Sequence, residues 1–363
     1  MARMMRCVAV HAPLITVLLV ASSVISGDTI PADKSALSSW FKESIKPYTE
    51  RKGTLDPKLA TAEEGKKVIK VSQGGGGDFS TIADAIKSIP DGNTERVIIF
   101  IGGGEYKEKV TIERTKPFVT LYGSPGAMPT ITHAGTAANY GTVNSATLIV
   151  LSDYFVAANI IFENSSPKPA PGATNGQALA LRISGDKAAF HNCKFVGFQD
   201  TLCDDKGHHF FKDCHIAGTV DFIFGSGTSI YLNTELSVVE DSLTVITAQG
   251  RQTDDDTGFS FVHCSIIGSA KGTFLGRAWM PKPRVIYSYT TMGSGVNPLG
   301  WSDNFHPDRD KTVFYGEYQN SGPGSSVSGR VPFSKKLTAK EAHPFLTLAF
   351  IQGSSWLLPP PSV

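Results

Sequence analysis

The feature that most constrains this 363-residue chain is a six-residue pattern that recurs along its middle. Each clear copy opens on an aromatic residue and carries Cys or Thr at its fourth position. The clear copies begin at Phe190, Phe211, Tyr231 and Phe261, and a weaker copy begins at Phe155. A period near 20 residues with several short strands in each repeat indicates a solenoid of stacked coils. The repeat therefore predicts an all-β parallel β-helix, with a β-sandwich as the alternative.

Short apolar runs outside the repeat support this fold. They predict strands at 68–71, 96–101, 118–122 and 147–151. One helix is predicted at about 79–89, where Ile82, Ala85, Ile86 and Ile89 share a face and a Pro-Asp-Gly turn follows. We expect this short N-terminal helix to cap the open end of the stack.

The first 26 residues have the pattern of a secretory signal peptide. Arg3 and Arg6 precede the uncharged run Val8–Val20, and small residues follow it. An uncleaved anchor or a buried strand is the alternative, although the run is short for a membrane span. We expect a signal peptide at 1–26, an arm at 27–65 and the β-helix domain at 66–358, with no membrane attachment after cleavage.

The charge balance argues against a nucleic-acid partner. The net charge is +1, and removal of residues 1–26 takes away two arginines and no acid, which leaves −1. Charged residues make up only 18% of the chain, below the usual share of about 25%, which disfavours a charge-rich helical bundle.

Four cysteines follow the signal region: Cys193, Cys203, Cys214 and Cys264. In a secreted chain they allow three disulfide connectivities. Cys193 and Cys214 hold equivalent positions one coil apart, but their side chains point in parallel, so we favour stacked thiols without an essential bridge. The sequon at Asn164 offers one site for N-glycosylation.

The repeat also aligns two carboxylates. Asp200 and Asp221 each lie ten residues after the start of a copy, so they occupy the same place in consecutive coils, about 4.7–4.9 Å apart. Gln177 lies 22 residues before Gln199, on nearly the same column. Two carboxylates at this distance do not both ionise easily, and their pKa values should separate, which suits a nucleophile and a general acid. On spacing alone, turn or ladder residues remain the alternative.

Around these residues the chain resembles the plant pectinesterases (pectin methylesterases), over about residues 66–358. Five blocks in family order carry the resemblance: Gly104–Glu108 (GEYKE), Gln177–Leu181 (QALAL), Gly197–Leu202 (GFQDTL), Asp221–Gly225 (DFIFG) and Leu275–Trp279 (LGRAW). The resemblance implies a right-handed parallel β-helix that hydrolyses the C6 methyl ester of homogalacturonan to pectate and methanol in the cell wall. It implies no metal or organic cofactor and a monomeric enzyme of the subgroup without an N-terminal inhibitor-like domain. A proteinaceous pectinesterase inhibitor is a further candidate partner.

The resemblance also implies roles for individual residues. Asp221 would be the nucleophile that forms an acyl-enzyme, and Asp200 would protonate the leaving methoxide and then activate water. Gln177 and Gln199 would donate to the oxyanion, and Arg277 would pair with Asp221. The expected substrate contacts are Thr142, Gln177, Arg277, Trp279, Phe222 and Trp301. For Thr142, Trp279, Phe222 and Trp301, a packing or turn role is the alternative.

Three positions depart from the family pattern. Ala278 stands where Pro is usual, and Cys203 stands where many members carry Tyr, which removes one expected aromatic sugar contact. Thr234 stands where many members carry a cysteine that could pair with the one like Cys264. The disulfide typical of the family is therefore not expected here.

Four other functions compete with this interpretation. A serine esterase would need a Gly-x-Ser-x-Gly elbow, which the sequence lacks. A zinc site at Cys203, His208, His209 and Cys214 does not match the usual ligand spacings. A β-helix pectate lyase would use calcium and a basic residue that abstracts a proton, and an inactive pectin-binding wall protein would bind without turnover.

Overall fold

The computed structural model describes residues 28–170, 172–239 and 242–361. The predicted signal peptide lies outside this part of the chain. All 27 strands of the described part belong to three parallel sheets, which we call the first, second and third sheets.

The strands, numbered in chain order, have the following bounds. The first sheet holds β1 Lys66–Val71, β2 Arg96–Ile101, β5 Val119–Gly123, β8 Val156–Ala158, β11 Ala188–His191, β14 His208–Lys212, β17 Thr228–Leu232, β20 Gly258–Val262, β23 Arg284–Ser288, β26 Phe314–Tyr318 and β27 Ser334–Lys336. The second sheet holds β4 Val110–Ile112, β7 Leu148–Val150, β10 Leu181–Ile183, β13 Leu202–Asp204, β16 Ile223–Gly225, β19 Val245–Gln249, β22 Phe274–Arg277 and β25 Trp301–Ser302. The third sheet holds β3 Glu105–Lys107, β6 Thr130–His133, β9 Ile161–Asn164, β12 Lys194–Val196, β15 His215–Gly218, β18 Glu235–Val238, β21 Ser265–Gly268 and β24 Thr291–Met292.

The order of these strands makes a helix of coils. Along the chain, a strand of the first sheet is followed by one of the third and then one of the second, and the next coil begins again on the first sheet. Each strand pairs in parallel with its counterpart one coil away. The predicted parallel β-helix is confirmed, and the four strands predicted from apolar runs correspond to β1, β2, β5 and β7.

The aromatic residues that open the repeat form one continuous stack inside the coils. Parallel pairing sets Phe190 against Phe211, Phe211 against Tyr231, and Tyr231 against Phe261. Their ring centroids are 4.5–4.7 Å apart, and the ring planes are within 14° of parallel. Tyr287 extends the stack by a further coil, at 4.6 Å from Phe261. Residues that match in the sequence repeat therefore also occupy equivalent positions in successive coils of the structure.

In the structure, the weaker copy begins two residues later than the sequence repeat predicts, at Ala157 rather than at Phe155. Phe190 pairs with Ala157 rather than with Phe155, and the rings of Phe155 and Phe190 are tilted by 54°. What keeps register here is the left-handed bend residue of each coil. Asn159 and Asn192 both have φ between 50° and 59°, and Asn192 Nδ2 donates to Asn159 Oδ1 at 2.9 Å.

Six α-helices and seven short 3-10 helices accompany the strands of the described residues. The α-helices are α1 Leu37–Ser44, α2 Tyr48–Arg51, α3 Pro57–Glu64, α4 Ile82–Lys87, α5 Ala137–Tyr140 and α6 Ala339–Ala342. The 3-10 helices are Lys34–Ala36, Val143–Ser145, Pro307–Lys311, Pro323–Ser325, His343–Leu346, Leu348–Ile351 and Gly353–Ser355. None of the helices in the described ranges has the length and apolar character needed to cross a membrane.

Helix α4 is the predicted capping helix. Thr81 caps its N-terminus, and its apolar face joins the hydrophobic core inside the first coils. The carboxylate of Glu108 accepts hydrogen bonds from the backbone N–H groups of Ile82 and Ala83 at 3.0 and 2.9 Å. Because these N–H groups have no partner within a helix, Glu108 fixes the cap to the strand layer.

All four described cysteines are buried free thiols, Cys193 and Cys214 included. Thr234 lies opposite Cys264, so this pair of positions cannot form the bridge that many relatives of this type could make.

The expectation of a glycan at Asn164 is not supported. Its side chain is 3% exposed, and Nδ2 donates to the carbonyl oxygens of Gly135 and Leu179 at 2.8 and 2.9 Å. A sugar on this nitrogen would be incompatible with the packed coil.

Candidate active site

The two aligned aspartates lie at the bends that lead from the third sheet into the second. Asp200 precedes β13 and Asp221 precedes β16, and the pairing of Leu202 with Ile223 sets the two aspartates opposite each other. Both backbones are left-handed, with φ of 64° and 50°. Such strained positions are costly for non-glycine residues and concentrate at functional sites. The repeat thus brings two carboxylates together at one sharp corner.

Arg277, at the end of β22, reaches Asp221 across the second sheet. Its Nε donates to Asp221 Oδ1 at 2.8 Å, and its Nη2 donates to Asp221 Oδ2. The two side chains are 17% and 9% exposed. A two-point contact between a guanidinium and a carboxylate is among the stronger hydrogen-bonded ion pairs and fixes the orientation of both groups.

The surroundings of the two aspartates shift their pKa values to different extents. Burial raises the pKa of Asp200 well above its usual value, and the neighbouring Asp221 charge raises it further. Burial also raises the pKa of Asp221, but the hydrogen bonds and positive charge of Arg277 oppose that effect. Asp200 is therefore the better proton carrier, and Asp221 is the better anion.

A cleft of about 210 Å³ opens above these groups. Its walls are Thr142, Gln177, Gln199, Asp200, Asp221, Phe224, Ala248, Arg277 and Trp279. The structure thus brings together seven of the residues that the sequence singled out. The Oε1 atom of Gln177 is buried and has no hydrogen-bond partner among the described residues.

Trp279 forms an exposed rim of the cleft. Its side chain is 51% exposed, and the Arg277 guanidinium carbon lies 5.0 Å from the centroid of its ring. Arg309 Nη1 donates to the Trp279 carbonyl oxygen at 3.0 Å, which anchors the loop. An indole held this way offers a flat apolar surface next to the carboxylate pair.

Two predicted substrate contacts lie elsewhere. Phe222 and Trp301 are completely buried in the main core, and Trp301 stacks on Tyr315 with a centroid distance of 4.3 Å. Neither ring is available to a ligand in the cleft. The family resemblance suggested Phe222, but the chain bends at the left-handed Asp221 and turns Phe222 inward.

Two residues of the site were not predicted from the sequence. Phe224 lines the cleft, and Asn304 accepts a hydrogen bond from Arg277 Nη1 at 3.2 Å. Strand alternation could have found Phe224, because it follows the buried Ile223 in β16. No motif marks Asn304. Cys203 is buried behind the cleft in a small cluster with Leu179, so it supplies no contact surface in place of an aromatic ring.

The zinc alternative finds no support in the described residues, where no three His, Cys, Asp or Glu side chains are grouped to hold a metal. The two ring nitrogens of His209 lie 2.5 Å from Asp204 Oδ1 and 2.9 Å from the Gly185 carbonyl oxygen. His208 is engaged by Asp186 at 2.8 Å. Both histidines are thus committed to contacts within the protein.

The chain is similar to known proteins in sequence and in fold. The family model described as Pectinesterase matches residues 68–354. "Probable pectinesterase 49" of Arabidopsis thaliana is 57% identical over 346 residues, 94% of this chain and 96% of its own. "Probable pectinesterase 50" of the same plant is 56% identical over 335 residues, 92% of each chain. Among solved structures, "Pectin methylesterase from Carrot" is 31% identical with a TM-score of 0.75, covering 81% of this chain and 97% of that one. This likeness also confirms the right-handed sense of the β-helix.

Proposed function

The chain belongs to the pectinesterase family, and from this premise we propose that it hydrolyses the methyl esters of pectin with Asp221 and Asp200 as its reacting groups. The observation that carries the assignment of roles is the single asymmetry between the two aspartates. Burial acts on both aspartates, but Arg277 bonds both oxygens of Asp221, whereas Asp200 faces the neighbouring anion of Asp221.

In the first step, the Asp221 carboxylate attacks the carbonyl carbon of the methyl ester. A bond forms from carboxylate oxygen to carbon, and the carbonyl electron pair moves onto oxygen. The side-chain amides of Gln177 and Gln199 line the same cleft and would donate hydrogen bonds to this oxyanion. Donors of this kind contribute on the order of 10²–10³ in rate each.

The intermediate then collapses and the carbon–methoxide bond breaks. Asp200 gives its proton to the leaving oxygen, so methanol departs and an acyl-enzyme anhydride on Asp221 remains. Asp200, now ionised, removes a proton from water as the water attacks the acyl carbon. The bond between the acyl carbon and the Asp221 oxygen breaks, which regenerates the Asp221 anion and leaves the proton on Asp200. The galacturonic acid that is released then ionises to its carboxylate by giving a proton to the solvent.

Methanol release from methyl-esterified pectin tests the proposal. Asp221→Asn and Asp200→Asn should each lower turnover at least about 10²-fold. Asp213→Asn is the matched control, because Asp213 is also left-handed, with φ of 56°, but contacts Lys212 and Asn233 away from the cleft. Retention of more than about a tenth of the activity by either active-site variant would contradict the two-carboxylate mechanism.

The same assay separates the alternative functions. A pectate lyase would produce unsaturated sugar without releasing methanol, and a pectin-binding wall protein would bind without turnover. Methanol without unsaturated product supports the esterase.

We extend the proposal to location and partners. The signal-like residues 1–26 support secretion to the cell wall, where plant pectinesterases act. A monomer is the proposed working form, and a proteinaceous pectinesterase inhibitor is a candidate partner. N-terminal sequencing of the secreted protein and its mass in solution test the first two statements.

A further inference from the structure

The Arg277 guanidinium is held from three directions. Two of its nitrogens bond Asp221, and the third, Nη1, donates to Asn304 Oδ1 at 3.2 Å. The Trp279 ring lies against the face of the same group, at 5.0 Å. A planar group with two in-plane partners and a ring on its face has little freedom to turn away from Asp221.

Asn304 is placed by the coil next to Arg277. Ser302, the residue opposite Arg277 in the second sheet, accepts a hydrogen bond on its Oγ from Asn304 N at 3.0 Å. The backbone of Asn304 is left-handed, with φ of 57°. Asn tolerates this conformation better than most residues, and it supplies a neutral acceptor as well.

We propose that Asn304 is a positioning residue, which holds the Arg277 guanidinium in the plane of the Asp221 carboxylate. The inference rests on the proposed function, in which Asp221 reacts as an anion. A neutral amide suits the task, because a carboxylate at position 304 would compete with Asp221 for the same cation. Asn304 acts through Arg277 and is not assigned a contact with substrate.

The electrostatic surroundings make this role measurable. Among the described residues, Asp200 before β13 and Tyr315 on β26 interact electrostatically with Asp221 and Arg277, and Arg309 interacts in turn with Tyr315. Burial raises the pKa of Asp221, and Arg277 is the group that opposes the rise. If Arg277 loses its anchor, Asp221 should require a higher pH to ionise.

Asn304→Gly removes the amide and keeps a residue that favours the left-handed backbone. We expect the acid limb of kcat/KM to move up by about half to one pH unit, a fraction of the 1–3 units that a neighbouring arginine supplies, with little change in KM at the optimum. Asn233→Gly is the matched control. Asn233 is also left-handed, with φ of 51°, but bonds Asp213 outside the site, so its acid limb should stay in place.

An unchanged acid limb in Asn304→Gly would overturn the inference, as would a raised KM with the limb unmoved, which would make Asn304 a substrate contact. Should the glycine variant not fold, Asn304→Asp keeps the acceptor and the turn. The added anion should also raise the acid limb, and an unmoved limb there would count equally against the inference. Activity retained by Asp221→Asn would refute the proposed function instead, so the two failures are distinguishable.

Discussion

Asp200 and Asp221 show how one contact gives two identical residues different chemistry. They share a place in consecutive coils, a left-handed backbone and near-complete burial. Only Asp221 is hydrogen-bonded by Arg277. Since burial raises the pKa of both carboxyls, the arginine decides which one is more readily ionised at the working pH.

Replacement of Arg277 by Gln should therefore move the acid limb of the rate profile to higher pH. The nucleophile must be ionised, so activity is lost as pH falls through the pKa of Asp221, and loss of the cation raises that pKa. A shift of about 1–3 units is expected, measured as kcat/KM for methanol release against pH. An acid limb that stays in place while KM rises would assign Arg277 to substrate binding instead.

At the scale of elements, the aromatic stack fills the inside of successive coils. Phe211 lies within it, fully buried between Phe190 and Tyr231. Phe211→Ala should lower the free energy of unfolding by about 3–5 kcal/mol, because it leaves a cavity and breaks the stack. Phe305→Ala is the control, since that ring is 96% exposed and its loss should change stability by less than about 0.5 kcal/mol. Equal denaturation midpoints for the two variants would contradict this role of the stack.

The sequence repeat predicted the β-helix and the pair of aspartates, because residues at the same distance from the start of each repeat occupy equivalent positions in stacked coils. The prediction was wrong where that distance alone does not determine the position of a residue. Phe155 was misaligned because the left-handed Asn159, rather than the aromatic ring, sets that coil. Phe222 was expected to contact substrate from the family resemblance alone, but it turns into the core one residue after the left-handed Asp221. The helices α1–α3 were not predicted from the sequence. Helices of four to eight residues have weak intrinsic stability and depend on tertiary packing, so their sequences carry little helical signal.

At the scale of the whole molecule, both ends of the described chain meet on the outside of the first sheet. The helices α1–α3 and the segment 339–358 share a second hydrophobic cluster with that face. Arg51, in α2, joins them, since Nη1 donates to the Leu357 carbonyl oxygen at 2.6 Å and Nη2 donates to that of Ser354. The two termini therefore stabilise each other.

Arg51→Ala should lower the free energy of unfolding by about 1–3 kcal/mol, because it leaves buried carbonyl groups without partners. Lys52→Ala is the control. Lys52 is 62% exposed and its ion-pair partner Glu64 is exposed as well, so its loss should cost less than about 1 kcal/mol. Urea titration of both variants measures the free energy of unfolding. A similar loss of stability in both variants would refute the stabilising role of the Arg51 hydrogen bonds between the two ends of the described chain.

The charge of the whole chain bears on how the enzyme would move along its product, a polyanion whose charge grows with each ester removed. Without residues 1–26 the net charge is −1. Among the described residues that line the cleft, Arg277 is the only cation, and Asp221 neutralises it. Neither the global field nor the cleft therefore holds de-esterified runs strongly. We expect dispersed free acids in partly digested pectin, with a pattern that changes little between low and moderate salt. Long contiguous blocks that shorten sharply as salt rises would show that electrostatic attraction to the product governs movement along the chain.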